Sequence, residues 1–522
     1  MPRLLGLILI ATALWLVEFR RFAEFGLVSD DFTRVGWALW ERDTTLARKV
    51  LDTLLHSWEA RPLRFLEIAI YGLVGGRLGI GALYGVTYLA LLANVLLVER
   101  LVTRRMGAGP GFLAAAFMAV APFDSTHLWL STLNHRFGVF WSLLATLAFA
   151  NGKSRRAALL LAVAAFTYEF SLLAFVLAPW FADGARLKST ARAAGIALGV
   201  GALYALYRFF VHPHIGADPR LDAFRSSVGG ARSLDALAYL PSALLEVLGR
   251  TPCLFLARAA EVPLGIELMA AGAIGLAAFA ASARRALVGA EMTEGPRFIP
   301  AALLIAIVLL VRSALPLLAG LEESYGPVSR YSYVVTPALA LLVAMIGRTA
   351  MRISSASGRL SVAILVGALI AVSAASRSGI AADYIAAARA QETFFARAVE
   401  KLGPLPERTI VVFLNAPPPA KGAAISTLER AIRWECDGIL SLVYDASIGG
   451  VIVDTALETS AAARFDVGKS LADAENRWII VYDDAARATT WWRGPDRDPW
   501  PRSVAPGGPA LDFLRRPIPA AR

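Results

Sequence analysis

Two carboxylates stand side by side in FGLVSDDFTRVGW, at Asp30 and Asp31, about a dozen residues after an apolar run that could cross a membrane. Adjacent carboxylates raise one another's pKa unless a cation compensates, and a carboxylate held near the working pH is a usable general base. The same pair also suits helix capping. Ser29 or Asp30 would accept backbone N–H bonds at the start of a helix through FTRVGWALWER, where the helix dipole favours acid. The two readings are compatible.

Four further charges have the chemistry of a binding site. Arg312 lies inside AALLIAIVLLVRSALPLL, where a guanidinium is costly unless it pairs, faces a cavity or snorkels to the outer interface. Arg330, in ESYGPVSRYSY, offers a planar fork suited to phosphate oxygens, and equally suits an interface anchor. Glu169, in FTYEFSLLAF, either orients Arg330 or an acceptor, or is a solvated loop charge. Arg61 is read as the partner of an acid in the first loop, with Pro62 breaking the preceding helix. His56, His127, His135, His212 and His214 are scattered without a metal-binding spacing. Cys253 and Cys436 rule out a thiolate zinc site and leave room for one bridge that no spacing rule supports. Trp491, Trp492 and Trp500 stack on sugar rings, rest on the membrane surface or pack in a core.

These residues are set in a chain built for lipid. Of 522 residues 57% are hydrophobic and 18% charged, and apolar runs recur from Leu4 to Ser376, more than a soluble core requires. Residues 1–380 carry 35 Lys/Arg against 23 Asp/Glu and residues 381–522 carry 17 against 18, so the tail differs from the body. Leu4 to Phe19 lacks a small-residue cleavage site and reads as a retained anchor. Further runs lie near 80–98, 109–123, 137–150, 157–182, 193–211, 262–283, 297–318, 331–347 and 359–376. The run at 157–182 is long for one span and short for two. Its ends are both basic, which favours a tight hairpin with Tyr168 and Glu169 at the outer tip.

The reading is a polytopic α-helical membrane protein of about eleven spans, with the N-terminus in the cytoplasm. The segments so placed in the cytoplasm hold sixteen Lys/Arg against four Asp/Glu, while the segment from Glu18 to Arg64 is balanced at eight and eight. Asp30 and Asp31 then face the extracytoplasmic side. Long outward loops fall at 19–79 and 212–261, and the apolar part of the first, Phe65 to Val74, lies at the interface. A membrane module is expected over 1–378 and a small extracytoplasmic α/β domain over 379–522, from an amphipathic helix near 381–402 and the strands TIVVFLN, GGVIVDT and RWIIVYDD.

The order of these features carries a resemblance. A short N-terminal span, an outward acidic pair, a Trp-rich amphipathic segment and Arg61-Pro62-Leu63 come in turn. GVTYLALLANVLLVERLVTRRMG, FMAVAPFDSTHLWLS and FTYEFSLLAF follow. Over roughly residues 1–350 the chain resembles the GT-C class of membrane glycosyltransferases, which includes the protein O-mannosyltransferases and bacterial lipid-A-modifying transferases. FTYEF has Tyr where a Lys often stands, and the tail carries no tetratricopeptide repeats. The resemblance implies a bacterial inner or plasma membrane enzyme. It moves a sugar from a polyprenyl-phosphate donor to an extracytoplasmic glycan, lipid or protein hydroxyl, with inversion. It places Asp30 as base and Asp31 as its support or as ligand of a divalent cation, and it calls for a guanidinium on the leaving phosphate, for which Arg312 and Arg330 stand. Membrane lipid is the expected partner, and nucleic acid is not. The rivals are a transporter or flippase of lipid-linked sugars, which would be expected to show repeated halves with broken helices at the midplane, and a non-catalytic scaffold of the same fold.

Overall fold

In this computed structural model the described residues are 3–27, 31–41, 44–56, 60–121, 124, 128–182, 186–215, 240–245, 249, 251–263, 265–288, 298–318, 333–350, 355–414, 433–445, 448–453, 478–493 and 503–515. Asp30, His127, Arg330 and Trp500 lie outside them, as do the side chains of Arg312, Cys436, Trp491 and Trp492.

The first apolar run forms α1 (Arg3–Leu14), which widens into a π-turn at Trp15–Phe19. A second π-turn, Phe32–Gly36, and one α-helical turn, Trp37–Trp40, follow Asp31. Amphipathic α2 (Leu46–Leu55) starts at Thr45, whose hydroxyl accepts the Arg48 N–H. Pro62 opens a helical stretch that runs with changes of pitch to Leu78, a run whose missing N–H costs nothing at its first position.

Next come α3 (Ile80–Met106) and α4 (Ala108–Val120). Gly107 between them has φ 92°, a conformation that a side chain would strain, so the chain reverses there at a glycine. α5 (Leu133–Ala150), α6 (Ser154–Thr167) and α7 (Arg186–Leu206) pack beside them. After α6 the backbone turns sharply at Tyr168, at φ −160° and ψ 108°. Tyr168 stacks on His135 at the start of α5, while Phe175, seven residues later, meets Phe149 at its far end. The segment 154–181 is therefore a hairpin with Tyr168 and Glu169 at its tip.

α8 (Ile266–Val288), α9 (Phe298–Leu318), α10 (Thr336–Ala350) and α11 (Ala356–Leu402) complete the bundle. Among the described residues four helices are long and apolar enough to cross a membrane: Ile80–Met106, Leu187–His214, Ile266–Ala283 and Ala356–Leu402. Shorter apolar helices lie at Ala108–Val120, Glu169–Phe181, Pro300–Val311 and Tyr333–Thr349. The chain is an integral, mainly helical membrane protein.

At 47 residues α11 is about 70 Å long at 1.5 Å per residue. It runs through position 378, so the expected last span and the expected amphipathic helix are one continuous element. Its first half packs on α8, where Gly275 and Gly367 let the two backbones touch: a Cβ on Gly367 would lie 2.9 Å from the Gly275 carbonyl oxygen. Its second half packs on a sheet. β1 (Leu405–Pro406) and β6 (Ser503–Val504) pair antiparallel, and β2 (Thr409–Leu414), β3 (Gly449–Val453), β4 (Trp478–Asp483) and β5 (Ala488–Arg493) form a sheet in the order β3-β2-β4-β5. β2 is parallel to β3 and β4, and β5 is antiparallel to β4. Parallel neighbours need a crossover, and α12 (Arg433–Tyr444) lies between β2 and β3 in the chain. β2 is almost wholly buried, as a central strand covered on both faces should be. Phe394 and Phe395 of α11 stack edge-on with Phe413 of β2 at 5.4 and 5.7 Å, and each buried Phe contributes about 2 kcal/mol. The last helix is α13 (Gly508–Leu514). Cys253 is exposed and free.

Candidate active site

Asp31 is fully buried. It sits at the start of the π-turn Phe32–Gly36, but its side chain makes no capping bond to that turn. The carboxylate instead accepts the backbone N–H of Ser131 at 2.7 Å and the hydroxyl of Tyr384 on α11 at 3.2 Å. Arg34, one turn later, donates to the Ser131 carbonyl at 3.3 Å, so both backbone groups of Ser131 are held from this helix.

The short segment 128–134 is the hub. Tyr71 donates to the Leu130 carbonyl at 2.6 Å. Glu67 accepts the backbone N–H of Asn134 and the Arg64 Nε at 3.0 Å. A buried carboxylate needs such donors, since an unpaired charge costs several kcal/mol in a low-dielectric interior. His135 lies flat on Tyr168, with centroids 3.9 Å apart. The other face of the hairpin tip holds a bidentate pair, in which Arg61 Nε and Nη2 each donate to Glu169 at 2.7 Å. The Arg61 guanidinium also lies 4.9 Å from the Tyr168 ring centroid. Arg208 and Tyr204, near the end of α7, reach the same carboxylate at 3.4 Å. Burial works to raise the Glu169 pKa, but the charge of Arg61, its two bonds and then Arg208 outweigh it and hold the group at about 2. Arg61 thus finds its bidentate partner in the hairpin, 108 residues away, rather than in the first loop. Glu169 is a paired, mostly buried acid rather than a solvated loop charge.

A second polar cluster lies below the hub. Arg136 on α5 is 1% exposed and donates to the Thr132 carbonyl and hydroxyl at 2.9 and 2.8 Å, with Tyr333 facing its guanidinium at 5.6 Å. Asn94 donates to the Arg136 carbonyl and to Tyr333. Arg377 on α11, also 1% exposed, has Glu18 of the first span 3.5 Å away. A cavity of about 90 Å³ lies elsewhere, between Leu16, Arg21, Glu267 and Ser378, and does not reach Asp31, Arg61 or Glu169.

Asp31, Arg61 and Glu169 are thus brought into one layer by Ser131, His135 and Tyr168. Arg312 is on α9, and its side chain lies outside the described residues; Asp30 and Arg330 lie outside them altogether. Among the described residues no group of three or more His, Cys, Asp or Glu is placed to hold a metal ion.

No family model matches the chain, and no curated protein matches it. Among solved structures it is similar to ArnT from Cupriavidus metallidurans, in a crystal structure bound to undecaprenyl phosphate. The two chains are 15% identical over 92% of this chain and 93% of that one, with a TM-score of 0.37. ArnT is a GT-C glycosyltransferase, the class that the order of motifs resembles. At that TM-score the likeness decides neither the fold nor the activity of this chain.

The sequence reading quotes the stretch Phe117–Ser131 but assigns no role to Ser131, and it passes over Glu67, Arg136, Arg208 and Tyr384. A signal existed for the three charged ones, because each interrupts an apolar stretch and an ionisable group in such a stretch marks a site or a pair.

Proposed function

We propose that the protein is a glycosyltransferase that moves a sugar from a polyprenyl-phosphate donor to an acceptor hydroxyl outside the cytoplasm. The supporting observation is convergence. The acidic segment at Asp31, the Arg61-Pro62-Leu63 stretch, the loop after α4 and the hairpin tip are the motifs whose order carries the resemblance, and they meet through the Ser131 N–H on Asp31, the Arg61–Glu169 pair and Tyr168 on His135. A scaffold has no need to enclose an acid such as Asp31 among donors at the end of a bundle, whereas a transferase needs its acids fixed before the substrate arrives.

In the reaction, Asp30 takes the proton of the acceptor hydroxyl as that oxygen forms a bond to the anomeric carbon. The bond from that carbon to the phosphate oxygen breaks, and polyprenyl phosphate leaves with the electron pair, so the centre is inverted. Asp31, the next residue in the chain, supports Asp30. A guanidinium on the leaving phosphate, from Arg312 or Arg330, stabilises the growing charge. The basic bias of the alternate loops puts Asp31 and the sheet domain on the extracytoplasmic side.

The test is purified protein in liposomes with a panel of synthetic polyprenyl-phosphate hexoses and pentoses, with polyprenyl phosphate release followed by mass spectrometry. At least one donor should be turned over by the wild-type protein and none by Asp30→Asn. Equal release by both proteins removes Asp30 as the base, and no release from any donor by the wild-type protein removes the transferase reading.

A further inference from the structure

Tyr384 lies on the helix that joins the bundle to the sheet, and its hydroxyl donates to Asp31 Oδ2 at 3.2 Å. The same hydroxyl stands 3.3 Å from that of Tyr84 on α3, which bonds the Gly26 carbonyl at 2.6 Å. Both tyrosines are fully buried, and Phe25 packs edge-on against them at 4.8 and 5.8 Å. The chain is thus gripped before the acidic pair, at Phe25 and Gly26, and again at Asp31.

The segment after the pair is gripped from the other side. Phe513 of α13 meets the rings of Phe32 at 6.3 Å and Trp40 at 5.1 Å. Leu442 of α12 approaches Gly36 so closely that a Cβ there would fall 2.6 Å from its Cδ1. A side chain at this position would have to push the Leu442 side chain aside for α12 to seat on this turn. Apart from those of Tyr84, these contacts come from α11 or from the sheet domain.

We propose that the sheet domain is a clamp on the acidic turn, in which Tyr384 is a positioning residue that orients Asp31, and Phe513 and Leu442 hold the helix that follows. The proposal rests on the transferase reading. A donor hydroxyl on one carboxylate oxygen of Asp31 fixes its rotation, and contacts on Phe32, Gly36 and Trp40 fix the backbone that follows it. The clamp acts through Asp31 and touches no substrate, so it sets the rate of the bound complex rather than the affinity for donor.

The titratable groups around Asp31 are its chain neighbour Asp30, Arg34 on its own helix, Tyr71 with Glu67 behind it, and Tyr384 with Tyr84 behind it. Of these, Tyr384→Phe removes one donor and leaves the ring. With the donor that the wild-type protein turns over, kcat should fall about tenfold with KM unchanged, the value of one hydrogen bond to a charged group. In Phe513→Leu, hydrogen exchange over residues 31–40 should quicken while exchange in α3 and α5 stays as in wild type. Wild-type kcat in Tyr384→Phe, an equal change in kcat and KM there, or unchanged exchange over 31–40 in Phe513→Leu, overturns the clamp. Asp31→Asn run alongside separates the two failures: wild-type turnover there removes the role of Asp31 itself, whereas a slow Asp31→Asn beside a wild-type Tyr384→Phe removes only the clamp.

Discussion

Glu169→Gln isolates the ion pair at the hairpin tip. The Arg61 side chain is 4% exposed and that of Glu169 17%, so little water is at hand to replace a lost charge. Removing one partner of a buried pair costs roughly 3–5 kcal/mol, because the remaining charge is left uncompensated. Gln keeps one acceptor oxygen, and the Tyr168 ring still faces the guanidinium for about 1 kcal/mol, which puts the expected loss at the lower end, about 3 kcal/mol. Thermal unfolding of the detergent-solubilised protein should show this as a fall of about 5 °C. Arg61→Gln should be similar, and the double variant should lose less than the two single losses together, with a coupling of about 2 kcal/mol. The acid dependence has a definite sign. The folded value, about 2, lies below the ordinary carboxylate range, so the stabilisation is complete above that range and disappears as the pH falls through it towards 2. The gap between wild type and Glu169→Gln should therefore be constant from about pH 7 to pH 5 and close only in stronger acid. A variant as stable as wild type at neutral pH, with zero coupling to Arg61, would refute the pair and leave Glu169 as a surface charge.

Asp30→Asn should abolish transfer with insertion intact, since an amide keeps the shape of the acid and removes the base, and Asp31→Asn should slow it less. Release of polyprenyl phosphate by each purified variant decides this. Arg312→Lys should slow transfer by roughly ten- to a thousand-fold if its fork holds the leaving phosphate, because Lys cannot give two parallel bonds; wild-type turnover and donor affinity would instead assign it to snorkelling and leave Arg330 for the phosphate. Reporter fusions at Gly107 and after Leu514 should report opposite sides of the membrane, and the same side for both would sink the orientation.

What could be read from the sequence was local. The run at 157–182 announced a hairpin because its length suits neither one span nor two and its flanks are both basic, and in the structure the chain does reverse at Tyr168. TIVVFLN, GGVIVDT and RWIIVYDD carry β2, β3 and β4, because short β-branched runs bounded by turn residues have few other uses. The continuity of α11 through position 378 was illegible for a physical reason. A span and an amphipathic helix differ in which faces are apolar, not in backbone, and α11 passes from lipid to sheet with no Pro or Gly-Pro signal to stop it.

The site was legible only in part, because its bonds join residues that no periodicity relates. Asp31 and Ser131 are 100 residues apart, Arg61 and Glu169 108, and Asp31 and Tyr384 353. Ser131 contributes a backbone N–H, which any residue type but proline would supply, so its letter carries no signal. Tyr384 sits in IAADYIAAARA, where a tyrosine on an apolar face reads as core, and its hydroxyl gains a role only when a buried carboxylate from the other end of the chain arrives beside it. The acids, by contrast, carry their cost wherever they stand. Glu67, Glu169 and Asp31 each had to find donors once they were removed from water, and in this fold those donors include the backbone N–H groups of Ser131 and Asn134 and the side chains of Arg61, Arg64 and Tyr384. The demand of each buried charge for partners therefore explains why the motifs meet: the sequence shows where the charges are, and burial forces the segments that can satisfy them into one layer.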